Sequence, residues 1–447
     1  MQTSEMTEAV VALLKARPLD GWEVTAASSR LLSVEVKEQK VDTFKCSAPV
    51  GVSIRVLKDG GMGFSFSTSM APGDLARMVD NALVGAATQT PDEHHAFPEP
   101  RPLPDIPGLY DETLASVPEA DKIGRAMELE RLVMAADPRV KKVRKCSFGE
   151  STVECRIVNS RGVDASYRGT SVSASVSAIA EEDGQSQMGW DFDYANHFND
   201  LSVARIAERA VARAVGLLGA KKIATMRCPA VLDRYVATEI LEVLASAFLA
   251  ESVQKGKSLL AGKTGEQIVS PLISIRDDGT LPGGMGTLPF DGEGVPKRNT
   301  VLVRDGRLLG YLYDTLRARK DGVASTGNAV RGGIKSPPHM GFSNLFIENG
   351  TTSLDVLMAG ISRGILLTDV MGMHTANPIS GDFSVGAAGF LIEEGRVTSP
   401  VKGIAIAGNI LDLFRSVEGV GDDLRFFGTV GSPSLRISAL DVSGGND

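Results

Sequence analysis

Five histidines, His94, His95, His197, His339 and His374, are scattered along the 447 residues, and no H-E-x-x-H pattern joins any two of them. His94 and His95 stand in a proline-rich stretch and read as solvated loop residues. His339 and His374 lie near glycines in the second half, each able to face a cleft or to serve the structure. Gly360-Ile361-Ser362-Arg363-Gly364 matches the G-x-S-x-G nucleophile elbow. That device lifts a serine from a strand-to-helix turn. Here Ser353–Ser362 reads as helix and Ile365-Leu366-Leu367 as strand, so the order is reversed, and a chain with 48 glycines meets the pattern by chance. Asp277-Asp278 and Asp291-Gly292-Glu293 bring carboxylates together near glycines. Such pairs can take a cation or work as acid and base, or they can be turn-forming acids at loop corners. Motifs alone therefore indicate no reaction.

The elements that would position these residues are clearer. Leu32, Val34 and Val36 alternate with polar residues, as do Val52, Ile54 and Val56, and then Met62, Phe64 and Phe66 after an Asp59-Gly60-Gly61 turn. This is strand periodicity with a hairpin. Helices are expected over Met1–Lys15, Asp74–Ala87, Glu119–Ala136 and Leu201–Leu218, with strands from Val140 to Ile179 folded back at Asn159-Ser160-Arg161-Gly162. Six prolines between Pro91 and Pro107 exclude helix and central strand there. The helices beginning near Asp74 and Ser202 follow sheet segments in the same order, which suggests a diverged internal repeat. Beyond Cys228 a helix runs from an Asp233 cap to about Glu251, with Val236, Ile240, Leu241, Leu244 and Phe248 on its apolar face. Glycine-rich short strands follow. The expected fold is α+β: sheet-and-helix domains over residues 1–105 and 106–224, then a β-rich, barrel-like domain over 225–447 carrying one long helix.

Length alone argues for two or three domains. A net charge of −8 with interspersed signs makes direct nucleic-acid binding unlikely. The one short basic run, Lys141, Lys142, Arg144 and Lys145, alternates with Val140 and Val143 as a solvated strand face would. The first 15 residues lack a signal-peptide pattern, and no apolar run is long enough for a membrane span. Cys46, Cys146, Cys155 and Cys228 form no C-x-x-C pair and are too sparse for a disulfide framework. A cytoplasmic protein is expected.

Longer blocks carry a resemblance. Gln254-Lys255-Gly256-Lys257-Ser258, Gly265-Glu266, Phe290-Asp291-Gly292-Glu293-Gly294-Val295-Pro296 and Gly310-Tyr311-Leu312-Tyr313-Asp314 are successive. Ser325-Thr326-Gly327-Asn328-Ala329, Ser380–Phe390 and Pro400–Ile404 continue the series. In order and spacing the chain from Pro229 to Ile437 resembles the TldD/PmbA family, and the first half resembles it in layout. That family is described as metallopeptidases that cut unfolded peptides. Its TldD branch carries H-E-x-x-x-H on a helix and a cysteine near the C-terminus. Two imidazoles and a thiolate on zinc leave a position for an activated water.

The resemblance places Leu241 and Ser246 at the two histidine positions, Glu242 at the general-base position and Ser434 at the cysteine. This is the pattern of the TldE/PmbA branch, without a metal of its own. It implies no cofactor in this chain and zinc on a TldD-like partner in a heterodimer. It also implies unfolded peptides as substrate, with little activity in the isolated chain. Glycine-rich segments, Asp291-Gly292-Glu293-Gly294 and Gly381-Asp382-Phe383-Ser384, are the candidate substrate-lining residues, with Glu242 the sole catalytic candidate. The alternative is a catalytically inactive peptide-binding or regulatory homodimer; family members have also been described as modulating DNA gyrase. A neighbouring gene encoding an H-E-x-x-x-H homologue would discriminate between the two.

Overall fold

The computed structural model describes residues 3–445, which pack as two compact units. The first holds residues 1–215 with two later excursions, 288–298 and 313–340; the second holds 216–287, 299–312 and 341–447. Both excursions lie within the sequence range 225–447. Residues 1–105 and 106–224 contribute strands to one seven-stranded sheet in the first unit.

That sheet is antiparallel, ordered β4-β3-β1-β5-β6-β7. Its strands are β1 (Gly21–Lys37), β2 (Lys40–Ser47), β3 (Val50–Lys58), β4 (Gly61–Ser67), β5 (Val140–Asn159), β6 (Asp164–Glu182) and β7 (Gln185–Ala195). The first half of β1 pairs with β3 and its second half with β2, while its other edge runs along β5 from Glu23 to Val36. Four helices accompany it: α1 (Thr3–Lys15), α2 (Pro72–Thr88), α3 (Glu119–Ala136) and α4 (Val203–Gly216). Met1 and Gln2, the first residues of the expected opening helix, lie outside the described residues. Val10 and Leu14 of α1 and Leu75, Met78 and Val79 of α2 close over Val24, Val52, Ile54 and Val56 of the sheet. The basic run of β5 has Val140, Val143 and Cys146 buried and the cations between them exposed.

The sets α1-β1-β3-β4-α2 and α3-β5-β6-β7-α4 take equivalent places about the central β1–β5 pair. Even their closest approaches correspond. A Cβ added at Gly63 in β4 would strike the Ala82 carbonyl of α2, and one at Gly189 in β7 would strike the Ala210 carbonyl and Ala214 amide of α4. Each outer strand thus lets helix backbone onto its surface at a glycine.

The second unit contains a closed five-stranded barrel. Strand β8 (Met226–Leu232) lies between strands Arg363–Met371 and Leu435–Ser443; beyond Arg363–Met371 follow Asp382–Glu393 and Arg396–Asn409, which pairs back to Leu435–Ser443. A second six-stranded sheet, built largely of strands of two to six residues, completes the unit. After Asp233, whose carboxylate accepts the Val236 amide at 2.9 Å, helix α5 covers Arg234–Ala245. It stops short of Glu251. A 3-10 turn at Ser246–Phe248 leads to an extended Leu249, because the Phe248 carbonyl and Ala250 amide bond the backbone of Leu312 instead. The segment Gly310–Tyr313 forms no strand beyond that bridge. The G-x-S-x-G segment follows a short helix, Leu354–Met358, and precedes a strand, the reverse of a nucleophile elbow.

Gly189→Ala is expected to lower stability by about 2 kcal/mol, within the range for overpacking against immovable neighbours. Gly124→Ala, on the open face of α3 with nothing within 4 Å, should be neutral or slightly stabilising. Urea denaturation of the two variants checks the contrast.

Candidate functional site

Within the first unit, β1 and β3 set Glu23 directly opposite Arg55. The Arg55 guanidinium grips Glu23 with Nε at 2.9 Å and Nη2 at 2.6 Å, and its Nη1 reaches Glu293 at 2.8 Å. The second oxygen of Glu293 accepts the amide of Thr315 at 2.9 Å, at the start of the short helix Thr315–Asp321. Arg331 donates from Nε to the Gly292 carbonyl at 2.7 Å and from Nη2 to Glu23. Its Nη1 is buried with no hydrogen-bond partner. Glu23, Arg55, Asp291 and Glu293 are all over nine-tenths buried.

Asp291 ties the loop to itself. One oxygen accepts the amides of Glu293 and Val295, and the other accepts the amide of Ala329 at 3.0 Å. Gly292 donates to the Ala329 carbonyl at 2.7 Å. Burial, then the charge of Glu293, pushes the Asp291 carboxyl up to about 7, against the pull of those amides. For Glu293, burial also favours the neutral acid, but the Arg55 charge and the Thr315 and Arg55 hydrogen bonds outweigh it and hold the pKa down. For Arg55 burial works against the charge, and the two carboxylates more than offset it. The side chains of Asp291 and Glu293 thus point into a buried ion network, committed to protein partners. The Asp277-Asp278 pair of the second unit is likewise committed: Asp277 accepts the Ser343 amide at 2.7 Å, and Asp278 the amide and hydroxyl of Thr280.

Sequence reasoning missed Glu23, Arg55 and Arg331. Glu23 and Arg55 stand inside strand patterns where a charge reads as a solvent-facing position, and only the structure supplies their partners.

A pocket of about 280 Å³ lies beside this network, lined by Phe97, Val295, Thr315 and Arg319 among others. Phe97 connects the two, since the Arg55 guanidinium stacks over its ring at 5.4 Å.

The other predicted residues belong to the second unit. Leu241 is fully buried on α5, Glu242 is exposed on the same helix, and Ser246 caps its end. Burial and the charge of Glu242 raise the carboxyl of half-buried Glu239. Ser434 is fully buried, and its hydroxyl and amide both donate to the Asp423 carboxylate at 2.8 Å. Among the described residues no group of three histidines, cysteines or acids is arranged to hold a metal. Gly381 precedes a barrel strand on which Asp382 and Ser384 are exposed and Phe383 and Val385 buried. Asp382 accepts a hydrogen bond from Asn409 at 3.0 Å, which with Ser380 holds its carboxyl below the usual range.

Three family models match the chain: the PmbA/TldA metallopeptidase domain 1 over residues 22–86, the central domain over 112–218 and the C-terminal domain over 225–444. The metalloprotease PmbA of Escherichia coli is 29% identical over 427 residues, covering 95% of this chain and 92% of that one. A crystal structure from Thermotoga maritima, described as a modulator of a DNA gyrase, superposes with a TM-score of 0.90 at 29% identity, over 99% of this chain and 100% of that one. TldE from Thermococcus kodakarensis superposes at 0.89 with 26% identity, over 98% and 100%.

Glu293→Gln should cost about 3–5 kcal/mol in urea denaturation at pH 7, because it weakens one side of a buried charge pair. Glu99→Gln, on an exposed pair with Arg161, should cost under about 1 kcal/mol. The Asp291 pKa is raised on folding, so its contribution is fully present below the unfolded value of 3.8 and is lost as pH rises through about 7. Asp291→Asn should therefore remove a downward slope of up to about 1.4 kcal/mol per pH unit between these limits. Stability curves at several pH values read that slope directly.

Proposed function

The chain belongs to the PmbA/TldD metallopeptidase family, and we propose that within it this protein is the non-metal subunit of a cytoplasmic TldD/TldE-type peptidase that degrades or processes unfolded peptides. The observation that carries this reading is the set of side chains at the positions compared with zinc ligands. Leu241 offers only hydrocarbon and is closed into the core of its unit. The Ser434 hydroxyl is engaged with Asp423, and a neutral hydroxyl is a poor zinc ligand in any case. These residues do not fit a zinc ion, so no step is routed through a metal held here. The metal and the activated water then come from a TldD-like partner.

The tools left to this chain suit an extended peptide. Among the described residues strand β2 pairs only with β1, so its outer edge presents backbone donors and acceptors. Main-chain hydrogen bonding along such an edge holds a peptide with little regard for its sequence, as a degrading enzyme requires. Asp382 and Ser384 are exposed and available to touch a substrate, and Gly381 sets their strand. The loop from Asp291 to Gly294 serves as frame, with its carboxylates turned inward. Glu242 is solvent-exposed on α5 and is the remaining candidate for a proton-handling side chain. Among the described residues no helix is long and apolar enough to cross a membrane.

Co-expression with an H-E-x-x-x-H homologue from the same organism should yield a complex in which zinc copurifies with the homologue. The isolated, untagged chain should hold far less than one zinc per molecule by elemental analysis. Stoichiometric zinc in the isolated chain, lost on chelation or on changing a histidine, would overturn the assignment.

A further inference from the structure

The pocket beside Phe97 has a charge imbalance that the fold does not resolve. Three arginines line it, Arg101, Arg161 and Arg319, against one acidic residue, Glu99. Arg161 is already paired with Glu99. On the helix Thr315–Asp321, Arg317 is held by Asp314 at 2.8 Å, and neighbouring Lys320 by Asp92 at 2.7 Å. Arg319, between them, has no carboxylate or carbonyl partner among the described residues, and neither has Arg101. Burial and the like charge of Arg101 also depress the pKa of nearby Arg298, as an uncompensated positive patch would.

Phe97, Val295, Ala318, Val323 and Ala324 supply the apolar part of the wall, and Ser325 adds a polar side chain. Thr315, also in the lining, carries a buried hydroxyl with no hydrogen-bond partner. The volume of about 280 Å³ is at the small end of the roughly 300–1,000 Å³ common for ligand pockets. It suits one or two residues of a peptide, not a whole segment. Two uncommitted guanidiniums match the planar fork of a carboxylate. A chain of net charge −8 with its cations in small separate groups is poorly made for a polyphosphate backbone.

We propose that this pocket binds a peptide carboxylate, seated between Arg101 and Arg319 with its attached apolar side chain against Phe97 and Val295. The carboxylate can come from a peptide C-terminus or from an aspartate or glutamate side chain. This deepens the peptide-handling role proposed above and rests on it, but the pocket lies within one unit of this chain, so its occupancy is measurable without any partner.

The test is calorimetric titration of the full chain with three probes: an N-acetylated tetrapeptide ending in a free leucine carboxylate, its C-terminal amide, and an amidated tetrapeptide carrying an internal glutamate. The free acid or the glutamate peptide should bind with salt-sensitive affinity, at least tenfold more tightly than the uncharged amide. Which of the two binds identifies the source of the carboxylate. Arg101→Gln and Arg319→Gln should each weaken binding about tenfold, as expected for loss of one charge-assisted contact. Lys320→Gln, at a cation that is already paired, should leave it unchanged. Neither carboxylate probe binding more tightly than the uncharged amide, no binding of any probe, or binding unaffected by both arginine variants with unaltered melting would overturn the proposal. Inorganic phosphate competing as strongly as the peptide would also overturn it, by showing a simple anion site. None of these results bears on whether a metal-bearing partner is needed for cleavage, so the two ideas can fail separately.

Discussion

Arg55 holds two carboxylates in a buried space where a single unpaired charge could not persist. Glu23 reaches it from the neighbouring strand, and Glu293 from a loop 238 residues further along the chain. Replacing such a network with well-packed hydrocarbon can match or exceed its stability, so its contribution is not chiefly energy. Removing one member, by contrast, leaves an ion without compensation. The arrangement therefore dictates where residues 288–298 must go. Once Glu293 is docked, Asp291 can collect the amides of Glu293, Val295 and Ala329, and the Thr315 amide is drawn to the other oxygen of Glu293. The pocket wall that includes Val295, Thr315 and Arg319 is set by the same contacts.

Much of the scaffold was legible because it obeys local rules. The hairpin at Asp59-Gly60, the helix Glu119–Ala136, the turn after Asn159 and the Asp233 cap all follow from nearest-neighbour chemistry and periodicity. The α+β class and the barrel-like second half followed from the same signals. Strand β7 shows the same alternation in Met188, Trp190, Phe192 and Tyr194, but the residues it buries are Gly189 and Asp191, which no apolar pattern indicates. Strand β2 carries almost no signal, being exposed along nearly its whole length. The end of α5 is a tertiary effect. Its apolar stripe continues to Phe248, and only pairing with Leu312 turns the backbone away. The site was less legible for the same reason. Nothing near Asp291 or Glu293 announces that a strand arginine will neutralise the loop, because sequence separation hides the partner.

Two layers of design separate in this molecule. One is a frame of buried groups engaged with protein partners: the Arg55 network, the Asp277 and Asp278 turns, and Ser434 bound to Asp423. The other is a set of groups open to the surface, including the outer edge of β2, the exposed Asp382 and Ser384 of the barrel, and Arg101 and Arg319 of the small pocket. In the proposed function, residues that would touch substrate come from the second layer, held in place by the first. The family resemblance alone directed attention to Asp291 and Glu293 as substrate-lining. Both side chains are buried and held by protein partners.

Amide hydrolysis at useful rates needs a nucleophile and stabilisation of the developing oxyanion, a large share of the roughly 8–23 kcal/mol that enzymes supply. In the proposed function that machinery sits on a partner, and this chain holds the peptide. The most direct measurement mixes the purified chain with an unstructured peptide, with and without the H-E-x-x-x-H homologue, and follows products by mass spectrometry. Cleavage only in the mixture, abolished by chelator, is the predicted result. Robust turnover by this chain alone, surviving chelator and persisting in Glu242→Gln, would contradict it.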